Sequence, residues 1–236
     1  MMCRHWGRYR WALAALLLLA WALRMSPMLA NRLHPDEALY GYWGLLIAHG
    51  RDPWLARVPV YKPPLLPYLL AGVQAAFGSS EFSLRLPGLA ASLLSIPLVA
   101  ALARSLYGNR WTATAAAAAV ALSPFSILFS PTAFIDPLMV TLGLGACLAA
   151  ARGRAGWAGA LAGLSFAAKQ TGLMWLPLVI LLQFMRRQSE SLNLKNGIVA
   201  SAACFSLVVG LTFAWDAVRV AQGAKSFWRV GAAGYG

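Results

Sequence analysis

The chain has 236 residues, of which 60% are hydrophobic and 11% charged, with a formal net charge of +13. A soluble domain carries about a quarter charged and at most about half apolar residues, so the composition excludes an ordinary soluble fold and indicates a polytopic membrane protein. The basic residues stand singly or in pairs between apolar runs, with no stripe of interleaved aromatics, which excludes nucleic acid as the partner and assigns the charge to membrane topology.

The chain opens with Arg4, Arg8 and Arg10, followed by the apolar run "WALAALLLLAWAL" and the small-residue stretch "MLAN". That pattern admits a cleaved signal peptide, but an uncleaved first span fits better, because Arg24 can snorkel outward and further spans follow. A long external segment, 31–85, comes next. Within it, "ALYGYWGLLIAHG" (38–50) predicts a short interfacial helix stopped by Gly50, and "PPLLPYLLAGVQAAFG" (63–78) a second, opened by prolines and closed by glycine. Were the second to cross the bilayer, every later orientation would invert and the arginine loops would fall outside.

Apolar runs predict spans at about 11–30, 86–106, 111–131, 137–151, 156–168, 171–185 and 197–216, seven in all. Arg104 with Arg110, Arg152 with Arg154, and Arg186, Arg187 with Lys195 fall in alternate loops, which the positive-inside rule assigns to the cytoplasm. The same threading puts Asp36, Glu37, Asp52, Glu81, Asp136 and Asp216 outside and only Glu190 inside. Two crossings must share 156–185, so one or both are short, tilted or re-entrant, with "KQTG" at the outer turn. The alanines at 115–119 read as close helix packing, and there is no repeat of fixed period. The chain thus reads as a single all-α module, 1–236.

The chemistry-bearing residues cluster in the external segments. Asp36 and Glu37 follow Pro35 at a helix start, where acids complement the helix terminus. One acid suffices for that; two just outside the hydrocarbon suit a general base and an orienting or ion-binding neighbour. Lys62, ahead of two prolines in "YKPPLLPY", and Arg85, in "LRLPG", read either as snorkelling side chains or as cations aimed at phosphate. Asp136, between Pro131 and Pro137, caps a helix or brings a further carboxylate to the Asp36 site. Lys169 and Gln170 lie in an apolar region, where an ionisable residue is a functional candidate by default. Tyr40 is a further candidate for substrate contact. His5, His34 and His49, and Cys3, Cys147 and Cys204, lack metal-ligand spacing, so no zinc site or cofactor is expected, although a divalent cation is left open. No glycine-rich phosphate loop indicates cytoplasmic nucleotide.

Taken in order, "HPDEALYGYW", "YKPPLLPYLL", "FGSSEFSLRLPGLAASLL", "FSPTAFIDPLM" and "GLSFAAKQTGLMWLPLVILL" resemble the N-terminal half of the GT-C glycosyltransferases, in the branch of protein O-mannosyltransferase-like enzymes and lipid A aminoarabinose transferases. The resemblance covers about residues 11–230. It implies inverting transfer of a sugar from a polyprenyl-phosphate donor to an acceptor on the outer face of the inner membrane. It also implies Asp36 as catalytic base or its closest electrostatic partner with Glu37 orienting it, Lys62 on the donor phosphate and Asp136 as second-loop acid. A phosphate leaving group needs no proton if cations stabilise it, so one base and one or two cations suffice.

Two departures stand out. Some relatives carry a basic residue where this chain reads "ALYG", so that contact is absent or replaced, with Arg57 and Arg85 as candidates. Relatives also continue with further spans and an external domain, so acceptor recognition is expected from a separate C-terminal module or polypeptide. A non-catalytic or partner-dependent membrane scaffold of the same fold is the alternative. A transporter fits less well, because its acids would sit near the bilayer midplane.

Overall fold

The structure is a computed structural model that describes residues 2–187 and 194–233, the side chains of 2–8 and 187 excepted; Glu190 lies outside the described residues. Among these residues it is all-helical. In chain order the helices are α1 (Met2–Ala30), α2 (Pro35–Ala48), α3 (Leu65–Phe77), α4 (Glu81–Tyr107), α5 (Arg110–Leu122), α6 (Pro124–Phe129), α7 (Ile135–Ala151), α8 (Ala155–Ala168), α9 (Trp175–Arg187), α10 (Leu194–Ala221) and α11 (Phe227–Ala233). A 3-10 turn, Gln170–Met174, joins α8 to α9.

Three segments are long and apolar enough to cross a membrane by length and composition: Tyr9–Ala30, Glu81–Tyr107 and Leu194–Ala221. Leu65–Phe77, Ile135–Ala151 and Ala155–Ala168 are shorter apolar helices. Large apolar side chains face outward along the long helices, among them Leu18, Leu94, Leu207 and Leu211, all more than half exposed. A soluble monomer would not spread apolar surface this widely.

The helix boundaries follow local chemistry. His34 caps α2: its ring Nδ1 accepts from the Asp36 amide while the Glu37 carboxylate accepts from the His34 amide, and Pro35 occupies the first turn. Gly50, at φ +64, ends that segment as the sequence predicts. α4 starts at Glu81, five residues ahead of the predicted 86, because Ser80 and Ser83 cap each other there and Arg85 is an interior residue of the helix. The predicted span 111–131 is broken at Pro124, which opens α6 under a Ser123 cap. Asp216, at the end of the predicted span 197–216, lies within α10, which runs on to Ala221, and is bound to Arg219.

Small residues set the helix spacing. Ala113, Ala117 and Ala121 of α5 are fully buried against Ala20, Ile96 and Ala100 of α1 and α4. A Cβ on Gly88 would collide with the Thr132 carbonyl, so α4 rests directly on the loop before α7. α4 runs from Arg85 near one end to Arg104 near the other, and its 27 residues span about 40 Å. Asp136 and Arg152 lie at opposite ends of α7 in the same sense.

Candidate active site

The site begins with a buried carboxylate. Glu37 is 1% exposed, and its Oε1 accepts from Arg85 Nε at 3.0 Å and from the Ala133 amide at 2.9 Å. Its Oε2 accepts from the His34 amide at 2.9 Å and from Arg85 Nη2 at 3.3 Å. Arg85 Nη1 donates to the Met28 carbonyl at 2.7 Å. One ion pair thereby ties the end of α1, the start of α2, the first turns of α4 and the loop before α7. Burial alone would raise the Glu37 carboxyl, but the bonds from Arg85, His34 and Ala133 outweigh it and hold the group below the usual carboxylate range.

With Glu37 turned inward, the half-buried Asp36 is left at the mouth of the site. One helical turn on, Tyr40 lies on the same face of α2 as Asp36. Tyr40 is buried, and its phenol is pushed well up by burial first, then by a hydrogen bond with Tyr61 and by the fields of Asp36 and Asp136. Two carboxylates from segments 100 residues apart thus act on one hydroxyl.

Asp136 enters from the first turn of α7, and Lys169 Nζ reaches its Oδ1 at 2.6 Å. Lys169 is extended, with φ −148, where α8 ends. Next to it, Gln170 Nε2 donates to the Tyr61 carbonyl at 2.7 Å, fastening this turn to the 61–62 strip. The fold-back requires Gly172, whose Cβ would strike the Ser165 backbone. Lys62 is 6% exposed, its ammonium 5.0 Å from the Tyr61 ring centroid.

Asp36 and Asp136, the latter paired with Lys169, therefore face Tyr40, which is bonded to Tyr61, with Lys62 over the Tyr61 ring. Arg85 is not in the open part of the site: it is 1% exposed and engaged by Glu37. Sequence reasoning missed Tyr61 and the Ala133 amide. The first carried no signal beyond adjacency to Lys62, and a backbone donor carries none at all. Beside Asp136 an apolar groove of about 490 Å³ runs between α4, α5, α6 and α7, lined by Phe125, Phe129, Val140 and Leu144, with hydroxyls from Ser92 and Ser95. No group of three or more His, Cys, Asp or Glu among the described residues is arranged to hold a metal ion.

The chain is similar to the undecaprenyl phosphate-alpha-4-amino-4-deoxy-L-arabinose arabinosyl transferase 1 of Pseudomonas fluorescens (strain Pf0-1), with 28% identity over 214 residues. The alignment covers 83% of this chain and 37% of that relative, so the chain spans little more than a third of the relative's length. No solved structure matches it. The profile of the family described as dolichyl-phosphate-mannose-protein mannosyltransferase matches residues 61–215, well over half of the chain and most of the site segments described above, and the chain belongs to that glycosyltransferase family.

Proposed function

We propose that the chain carries the catalytic module of a membrane glycosyltransferase that moves a sugar from a polyprenyl-phosphate donor to an acceptor on the outer face of the cell's inner membrane, with inversion. The observation that carries this reading is the convergence of Asp36 and the Lys169-paired Asp136 on the Tyr40 hydroxyl, from segments 100 residues apart. Seven crossings, with α2 and α3 in the interface and the arginine loops in the cytoplasm, would place that end outside.

Asp36 takes the proton of the acceptor hydroxyl or amine as its oxygen or nitrogen attacks the anomeric carbon. Attack comes from the face opposite the phosphate, so the bond to the phosphate oxygen breaks as the new bond forms and the configuration inverts. Polyprenyl phosphate leaves unprotonated, its growing charge balanced by Lys62. The Lys169–Asp136 pair and neutral Tyr40 hold the polar substrate groups, and Glu37 and Arg85 position Asp36 without touching substrate. The apolar groove beside Asp136 suits the isoprenoid tail. Binding both substrates at the bilayer edge supplies proximity.

A partner-dependent scaffold of the same fold is the second reading, favoured by the burial of one member of the acidic pair, Glu37, in a structural ion pair with Arg85. Turnover of a polyprenyl-phosphate sugar by the purified chain separates the two. Asp36→Asn is expected to keep donor binding and reduce turnover about 10²-fold or more, the scale of general-base loss. Unchanged turnover would return the acidic pair to helix capping.

A further inference from the structure

A second opening adjoins the acidic end. Gly231 of α11 packs against the Tyr61 carbonyl and Gln170, while Arg229 of the same helix lines a cleft of about 1360 Å³ between loop 56–59 and the turn from α10 into α11. Arg57 and Lys225 line it too. All three cations are exposed, and none has a side-chain partner among the described residues.

The carboxylate at the wall does not neutralise them. Asp216 is 4% exposed; its Oδ1 accepts from Arg219 Nη1 at 2.9 Å and from the Phe227 amide at 3.1 Å, and its Oδ2 from Ser226 Oγ at 2.6 Å. Arg219 in turn donates to the Leu55 carbonyl at 3.0 Å and lies 4.8 Å from the Trp215 ring centroid. Leu55 has φ +54, which few leucines adopt, so this bond fastens an otherwise unfavourable loop to α10. The walls of the cleft are held together by groups that leave its three cations unspent.

The location narrows the ligand. α10 is one of the three long apolar helices, and the cleft lies at its C-terminal end, with Phe213 and Val220 on its wall. Arg104, Arg110, Arg152 and Arg154 stand at the other end of the bundle. Cations at the end assigned to the translocated side run against the topological preference, and an open cleft larger than the roughly 300–1,000 Å³ of small-molecule pockets suits an amphiphile.

We propose that this cleft binds the phosphate headgroup of an anionic membrane lipid, contacted by Arg57, Lys225 and Arg229, with the upper acyl chain against Phe213 and Val220. The assignment is independent of the role of Asp36. Native mass spectrometry of the full chain in neutral detergent, titrated with phosphatidylglycerol or phosphatidylcholine, reads it directly. The parent is expected to prefer phosphatidylglycerol by at least about tenfold, with a preference that weakens in salt. Arg57→Gln/Lys225→Gln/Arg229→Gln should abolish that preference, while Arg51→Gln/Arg152→Gln/Arg154→Gln, an equal charge change at exposed positions outside the cleft, should keep it. If the cleft variant does not stay monodisperse, the three single substitutions, each expected to halve the preference, give the same reading. Undiminished preference in the cleft variants, or equal binding of phosphatidylcholine, overturns the proposal. Displacement of phosphatidylglycerol by an equal concentration of inorganic phosphate assigns the cleft to a soluble anion and overturns the lipid.

Discussion

Arg85 Nε lies 3.0 Å from Glu37 Oε1 with both side chains almost wholly out of solvent, joining positions 48 residues apart. Removing one partner strands a buried charge, at a cost of about 3–5 kcal/mol. Arg85→Met and Glu37→Leu should therefore each lower the unfolding midpoint sharply, followed by tryptophan fluorescence in detergent. The double substitution should recover most of the loss, because two apolar side chains of similar volume replace a pair already costly to bury. Additive losses would show that the pair is not the unit.

The same pair gives stability an acid dependence. The Glu37 carboxyl titrates lower in the folded chain than in the unfolded one, so the folded state binds this proton less readily. Its contribution is present above the ordinary carboxylate value of about 4.3 and is lost as the pH falls through the lower folded value. The midpoint of the parent should drop as the pH falls below about 4.3, and the gap between parent and Glu37→Gln should narrow over the same range. A gap independent of pH would remove the ionised form of Glu37 from the account.

Lys62 and Arg85 make a contrast that separates the candidate phosphate contact from the buried cation. Lys62→Ala should weaken polyprenyl-phosphate binding and slow transfer about 10²-fold, the scale of losing one preorganised charge at a developing oxyanion. Lys62→Arg should restore only part of it, since a planar fork and a compact ammonium do not fill the same place. Arg85 variants that fold should keep donor affinity and lose less rate than Lys62→Ala, since Arg85 acts only through the placing of Asp36. Rates that depend on Arg85 and not on Lys62 would reverse these roles.

Single cysteines in a background lacking Cys3, Cys147 and Cys204, probed with an impermeant thiol reagent on intact cells, test the orientation. Position 51 should label and position 152 should not. Position 51 is preferred to 52 because Asp52 is buried, its carboxylate accepting from the Ala56 and Arg57 amides at 2.8 Å. The reverse pattern would invert the bundle.

The sequence announces those elements whose ends are set locally. Gly50 and Gly78, at φ +64 and +79, close the segments that α2 and α3 fill, and both stops are visible as glycines after apolar runs. Asp36 and Asp136 are legible as acids at helix starts flanked by proline. Arg85 is not legible in the same way: a charge near the end of an apolar run reads as the edge of a span, and its burial depends on Glu37 and Met28, residues brought to it by tertiary packing. α11 escaped because seven residues carry too little periodicity, and its place depends on Asp216, which accepts from the Phe227 amide. Pro124 breaks the run 111–131 into α5 and α6 although the hydropathy of its neighbours continues across it.

The Glu37 contacts also impose an order on how the chain is built. Glu37 leaves the ribosome 48 residues before Arg85 and 96 before the Ala133 amide. Until α4 follows, its carboxylate has neither of these partners, so the start of α2 is not yet fastened. Arrival of Arg85 neutralises the charge and draws the start of α2 against α4. Arrival of residue 133 adds the second donor to Oε1 and, three residues later, delivers Asp136 to the Asp36 side. A nascent chain halted before α7 would hold Glu37 without its Ala133 donor and Asp36 without Asp136, so the candidate site closes late in the building of the chain.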